Sequence, residues 1–436
     1  ARTSARQHGP CDVSPSGGVA RRTIFDGSAS LCCLSEAAGP ILAPRRQSRV
    51  SGIAPAADSP SNPRNAEVKS KPQIVQVGCG NMAKMTVAYA LDKGAHIVGA
   101  VDHRPEIIGR DLGEVLDLGR PLGVAVGGDL AATLDAAYGD APANALGKRN
   151  RFAIVTTTSL LAEVGATLQE CARRGINTYT TCEEAHFPWL SALTMAREID
   201  VLAKAHGATV TGGGYQDLFW GHEVVALAGA CHRIARIHGA SRYNVDHYGI
   251  ALAQIHGAGF TRDEFEARIA APSRKTFREF LAGMDAGSIE PGYSWTVNGW
   301  LASRLGLTVV DQVQECIPTF ADTELQSSTL GRTIGAGEVT GMIGRATTRT
   351  AEGIEIVFDA IGCVYGAHDK DFNNWKIHGV PDCNVVNAEP ATPQHTCATA
   401  VNRLIDLYHA PAGYVTSDRL PPARFFASAE RYVIES

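Results

Sequence analysis

The stretch Lys71–Gly113 reads KPQIVQVGCGNMAKMTVAYALDKGAHIVGAVDHRPEIIGRDLG. Ile74-Val75-Gln76-Val77 is a short apolar run of the kind a buried parallel strand requires, because helices cover both of its faces. The run ends in Gly78-Cys79-Gly80-Asn81-Met82-Ala83, a GxGxxA turn that opens a helical segment from Met82 to Lys93. After Gly94 a second apolar run, His96 to Val101, stops at the acid Asp102. Strand, glycine turn, helix, strand and terminal acid, in that order, form a βαβ unit with a dinucleotide fingerprint. Gly78 permits the tight turn, Gly80 lets backbone approach a pyrophosphate, and Ala83 lets the helix sit on the strand. The free N–H groups at the helix start, around Asn81 and Met82, face the phosphate charge.

The acid at the end of the second strand bears on the choice between NAD and NADP. A carboxylate at Asp102 normally accepts from a ribose 2′-hydroxyl, which favours NAD. Here His103 and Arg104 follow it at once, and a guanidinium there holds a 2′-phosphate bidentately. The pattern therefore favours NADP, with NAD also usable. Arg151 to Val155 reads as the next buried strand, and Thr156-Thr157-Thr158-Ser159 follows it. Thr157 and Thr158 occupy the strand's carboxyl end, where such sheets line the cofactor crevice. The same hydroxyls also suit the start of a helix over Leu160–Gly175.

Ile176 to Thr181 is a further strand-like run, and Cys182-Glu183-Glu184-Ala185-His186-Phe187-Pro188-Trp189 follows it. Two adjacent acids among apolar residues at a strand's carboxyl end are candidates for proton transfer, because apolar surroundings raise a carboxyl pKa towards neutrality. The plainer alternative is a Glu pair capping the helix expected over Trp189–His206. Ala208 to Gly214 is one more strand running into a glycine turn, and Tyr215-Gln216-Asp217-Leu218-Phe219-Trp220 follows. Tyr215, Phe219 and Trp220 can wall a small apolar pocket or serve as ordinary core. Beyond them, Ile234–Asn244, Gly335–Arg349 and Glu352–Val364 read as strands, and Thr261–Ala282 and Trp300–Leu305 as helices. Cys397–His409 is an amphipathic helix with Ala400, Leu404, Ile405 and Leu407 on its apolar face.

These elements predict an α/β chain in four parts. Residues 69–211 form an N-terminal Rossmann domain with a doubly wound parallel sheet. Residues 212–384 form an α+β substrate and dimerisation domain with a mostly antiparallel sheet. Residues 385–436 return a helix to the Rossmann domain. Residues 1–68 carry eight arginines, no lysine and five acids, with many Ser, Ala, Gly and Pro. That is the composition of a transit peptide or a disordered extension. The expected location is therefore the cytoplasm or, if the segment is a transit peptide, an organelle. A net charge of -5 gives no reason to expect nucleic acid as a partner. No run of 18 apolar residues predicts a membrane span. The eleven cysteines are scattered without CxxC or His-plus-Cys spacing, so no metal site is expected.

The motifs VxVGxGxMA, Gly109–Gly113 (GRDLG), Thr180–Ala185 (TTCEEA), Gly212–Trp220 (GGGYQDLFW) and Thr399–Thr416 (TAVNRLIDLYHAPAGYVT) together resemble a known family. It is the dihydrodipicolinate reductase-like superfamily, in its 2,4-diaminopentanoate dehydrogenase group, and within that group the native NAD(P)H-dependent amine dehydrogenases. The likeness runs from Lys71 to the C-terminus. The His-His and Lys signature of the reductases is absent. Tyr215-Gln216-Asp217 stands where diaminopentanoate dehydrogenases show Asn-Pro-Gly, which favours simple amines over the diamine. The resemblance implies that Glu183 is the catalytic carboxylate, with Glu184 as second choice. It also implies that Trp220 limits the pocket and that the protein is a homodimer.

The activity implied is reversible reductive amination of small aldehydes or ketones with ammonia to primary amines. Three readings compete with it. One is a 2,4-diaminopentanoate or amino-acid dehydrogenase of the same superfamily. Another is an ammonia-independent imine or carbonyl reductase. The third is a nucleotide-sensing module without catalysis, for which an intact acid after Ile176–Thr181 is unexpected.

Overall fold

Seven short strands lie side by side as a parallel sheet in the computed structural model, which describes residues 69–138, 147–247, 250–289 and 291–435. The expected transit peptide, residues 1–68, lies outside the described residues. From Gln73–Val77 the chain steps outward through His96–Val101 to Val126–Gly127. It then returns to the other side of the first strand at Phe152–Val155 and steps outward again through Asn177–Thr180 and Thr209–Gly212. A two-residue strand near the C-terminus, Gly413–Tyr414, forms the far edge. This is the doubly wound α/β order, with its reversal between Gln73–Val77 and Phe152–Val155.

The strands alternate between two cores, as a period of two demands. Val75, Val77, Ala153 and Val155 pack against the helices Leu161–Arg173 and Leu193–His206. Ile74, Phe152, Ile154 and Tyr179 turn to the other face and meet Ala400, Val401, Leu404 and Leu407. Those last four belong to the helix Thr392–His409, which also packs on the first helix, Asn81–Asp92. The C-terminal helix is thus part of the sheet's cover. It starts five residues before the expected Cys397, because Pro393 sits in the first turn, where its missing N–H is not needed. The helix expected from Trp189 starts at Leu193 instead, after a separate 3₁₀ turn that opens at Pro188.

A second sheet of six strands runs in the order Cys383–Ala388, Phe372–Val380, Arg233–Asn244, Glu355–Cys363, Val339–Thr350, Val309–Phe320. All its pairings are antiparallel except Arg233–Asn244 with Glu355–Cys363. One face packs on the helix Tyr293–Arg304 through Val297, Trp300 and Leu301, against Ile356, Phe358 and Trp375. The buried amide of Asn298 on that helix donates to the carbonyls of Ala346 (3.0 Å) and Ile356 (3.1 Å), which fixes the helix on the sheet. The strand Cys383–Ala388 straddles the boundary drawn at Asn384. The helical region expected over Thr261–Ala282 is broken in two, and each piece opens with a capping box, Thr261 with Glu264 and Thr276 with Glu279.

Candidate active site

The glycine turn stands at the sheet's order reversal. Gly78 has φ +84°, and a Cβ there would meet the Thr156 carbonyl oxygen at 2.8 Å, so only glycine fits. A Cβ on Gly80 would meet nothing within 4 Å. The helix Asn81–Asp92 starts there with no side-chain cap and no acid in its first turn. Its N–H groups and partial positive charge are left for an incoming anion, so the turn fits a dinucleotide pyrophosphate.

Asp102 is buried at the end of His96–Val101, and its carboxylate is heavily engaged. It accepts from the Cys79 N–H (2.8 Å), the Arg104 N–H (3.0 Å), and Arg104 Nε and Nη2 (both 3.0 Å). Burial alone would raise its pKa, but the bonds from Arg104 and from the two backbone amides outweigh that and hold it down at about 2. Arg104 Nη2 also donates to the Cys79 carbonyl at 2.9 Å. The guanidinium therefore spans the acid and the glycine turn while its side chain stays 40% exposed. His103 is almost wholly exposed beside it.

A cavity of about 270 Å³ opens next to the turn. Met82, Thr157, Thr158, Glu183, Tyr215 and Trp220 all line it, so six of the candidates from the sequence share one wall. Gly78, Gly80, Asn81, Asp102, His103 and Arg104 lie at the turn outside that lining. Phe219 is also outside it, stacked behind Tyr215 at 4.5 Å and 10°.

Glu183 and Glu184 part company. Glu183 faces the cavity, and burial raises its carboxyl pKa against a hydrogen bond from Ser159 that lowers it. Glu184 points back into the protein, where its Oε2 accepts from the Leu161 N–H at 2.7 Å. It thereby caps the preceding helix, Leu161–Arg173, rather than the following one. The glycine run Gly212-Gly213-Gly214 serves packing too: a Cβ on Gly212 would stand 2.4 Å from the Ala185 backbone, so this strand end lies directly against the turn that carries Glu183.

After that run the chain makes a π-helical turn, Gln216–His222, which bears Trp220. Such turns are often found at functional sites. The turn is anchored from below. Asp217, fully buried, takes two bonds from fully buried Arg403 of the C-terminal helix, Nε to Oδ2 at 2.7 Å and Nη2 to Oδ1 at 2.8 Å. The same helix holds the start of the turn, where the Tyr215 N–H donates to Thr396 Oγ1 at 3.1 Å.

The cavity also takes residues that sequence reasoning did not select, among them Tyr243, Leu252, Tyr293 and Thr396. Tyr243 alone carries a usable signal, since it lies at the carboxyl end of a strand that the pattern predicts. The others reach the site only because distant elements fold onto it. Among the described residues no group of three His, Cys, Asp or Glu side chains is placed to hold a metal ion. No helix of the described residues is long and apolar enough to cross a membrane.

No family model matches the chain. It is 35% identical to an amine dehydrogenase from Mycobacterium smegmatis of known structure, covering 82% of this chain and 98% of that one, with a TM-score of 0.70. It is 25% identical over 362 residues to the 2,4-diaminopentanoate dehydrogenase of Acetoanaerobium sticklandii, covering 81% of this chain and 94% of that one.

Proposed function

The chain belongs to the amine dehydrogenases, oxidoreductases that act on CH–NH2 donors with a nicotinamide cofactor, and from that premise we propose that it interconverts small aldehydes or ketones plus ammonia with primary amines. The observation that carries this reading is Glu183, a carboxyl in the wall of a largely apolar cavity beside the cofactor turn. When bound, the nicotinamide supplies or takes the hydride.

In this reading Glu183, ionised, takes one proton from ammonium and holds the resulting ammonia, whose nitrogen adds to the carbonyl carbon while one of its N–H protons passes to the carbonyl oxygen to give the carbinolamine. The protonated carboxyl returns that proton to the departing hydroxyl, which leaves as water. The ionised carboxylate then stabilises the cationic iminium that receives hydride. Tyr215 and Trp220, packed edge to face at 5.7 Å, exclude water and limit the substrate to short chains. Arg242 lines the cavity, but its guanidinium is engaged by Asp369, so amines without a carboxylate are the proposed substrates.

The proposed cofactor preference is NADP, with NAD accepted. Arg104 neutralises Asp102 and occupies its acceptor oxygens, which weakens the recognition of a ribose 2′-hydroxyl. Its exposed guanidinium beside His103 suits a 2′-phosphate. Residues 69–211 would hold the cofactor, while residues 212–384 would complete the substrate pocket and form a homodimer through the second sheet. The test is NADPH oxidation with a panel of short aldehydes and ketones, with and without ammonium. Turnover that requires ammonium is expected. Equal turnover without it, or turnover of 2,4-diaminopentanoate in preference to simple amines, would contradict the reading.

A further inference from the structure

The cavity wall contains a tyrosine whose proton already has a destination. Tyr243 and Leu252 both line the cavity. The Tyr243 hydroxyl lies 2.8 Å from Nε2 of His256, and Nδ1 of the same ring lies 2.8 Å from the Leu252 carbonyl oxygen. A carbonyl oxygen can only accept, so Nδ1 carries the ring proton. Burial lowers the His256 pKa, against a smaller upward effect from the Leu252 carbonyl, and the ring is neutral at neutral pH. Nε2 is therefore a bare lone pair. The Tyr243 O–H must be the donor, and its direction is fixed.

The pair is built into the fold. His256 is 5% exposed, and its ring meets Tyr243 edge to face at 5.7 Å and 85°. A Cβ on Gly362 would come within 2.4 Å of His256 Cδ2 and 2.8 Å of Tyr243 Cε2, so the bare backbone of the neighbouring strand makes room for both rings.

A hydroxyl that donates to His256 cannot also donate to a substrate oxygen. It presents lone-pair density, which suits an N–H. Resting on the amine dehydrogenase reading above, we propose that Tyr243, aligned by His256, is a second binding residue for the substrate nitrogen and turns the cavity away from direct carbonyl reduction. Glu183 and Tyr243 both accept, so ammonia, amine and iminium find partners. An alkoxide growing on a carbonyl oxygen finds no donor in this hydroxyl. His256 acts through Tyr243 and is a positioning residue.

The experiment uses the full chain with NADPH and isobutyraldehyde as the carbonyl probe, and follows NADPH oxidation and alcohol formation while ammonium is varied. In Tyr243→Phe the KM for ammonium should rise about tenfold, the effect of one lost hydrogen bond to a nitrogen ligand. The KM for the aldehyde and the melting temperature should hold. In His256→Leu the freed hydroxyl can turn to a carbonyl oxygen, and alcohol formation without ammonium should rise above the wild-type level. An unchanged ammonium KM in Tyr243→Phe, or equal rises in both KM values, would overturn the proposal. If His256→Leu does not fold, the Tyr243→Phe split decides alone. A wild-type enzyme indifferent to ammonium would instead overturn the amine dehydrogenase reading on which the proposal rests.

Discussion

The glycine turn and the aromatic cavity adjoin one another and are made of opposite materials. The turn is backbone: open N–H groups at the start of Asn81–Asp92, with Asp102 and Arg104 bonded to each other and to Cys79. Asp102, Arg104 and Cys79 satisfy one another, while the N–H groups at the helix start stay open for a ligand. The cavity is side chain: Tyr215, Trp220, Tyr243 and Tyr293 around one carboxyl that burial makes harder to ionise. In the proposed reaction the difference separates binding from chemistry. A phosphate needs fixed dipoles and little else. Moving a proton needs a group whose two protonation states lie close in energy, and burial next to apolar rings supplies that.

Substitutions in and around the two regions sharpen this contrast, and the largest effect is expected at the buried pair that anchors the cavity turn. Arg403→Met leaves Asp217 as an uncompensated buried charge and should destabilise the fold by about 3–5 kcal/mol, measured by denaturant unfolding. Adding Asp217→Leu should recover much of that loss, because the charge is gone. A single Arg403→Met that unfolds at the wild-type midpoint would show that the cavity turn does not depend on the Asp217–Arg403 pair.

At the glycine turn the expected effect is smaller and is one of selectivity. Arg104→Gln removes the guanidinium proposed to hold a 2′-phosphate and should weaken NADPH binding by about 1.5–3 kcal/mol, roughly ten- to a hundredfold, with NADH much less affected. Fluorescence titration of both cofactors checks it. The same variant should raise the Asp102 pKa from about 2. In the wild type the stability that Asp102 contributes is present above the unfolded carboxyl pKa of about 3.9 and is lost as pH falls through about 2. The variant should lose it at higher pH.

The smallest effect is expected at Glu184. Glu184→Ala removes the cap of Leu161–Arg173 and should cost about 1 kcal/mol of stability, with kcat close to wild type. Glu183→Gln should change stability in the other direction. A carboxyl with a raised folded pKa contributes most below its unfolded pKa and loses that contribution as pH rises through the folded one. Replacing it by a neutral amide should therefore stabilise the protein at neutral pH and do so less at pH 4. Thermal unfolding at the two pH values reads this directly.

The sequence exposes the turn far better than the cavity, and the reason is physical. Strand, turn, helix, second strand and acid all lie within Ile74 to Arg104, and Asp102 finds its partners Cys79 and Arg104 inside the same stretch, so a GxGxxA turn between two apolar runs states its own geometry. Glu183 is legible because it ends a strand, but nothing local distinguishes it from Glu184. The distinction lies in the Leu161 N–H, 23 residues away in the chain, which claims one carboxylate and not the other. Tyr293 and Thr396 come from a helix of the second half and from the C-terminal helix, and no local spacing could have predicted their meeting. The strands Val309–Phe320 and Phe372–Val380 escape a sequence reading for a similar reason. Their sequences, VVDQVQECIPTF and FNNWKIHGV, carry Asp, Glu, Pro and paired Asn that obscure the alternation. Cross-strand partners supply the stability that local pattern lacks.

The central claim is that Glu183, and not its neighbour, moves the proton that couples ammonia to the carbonyl. It is tested most directly by ammonium-dependent NADPH oxidation in Glu183→Gln, with NADPH affinity measured on the same preparation. Turnover should fall about 10²–10⁴-fold, as for a general base, with cofactor affinity unchanged. Wild-type turnover in Glu183→Gln, or a loss that appears in Glu184→Gln instead, would contradict it.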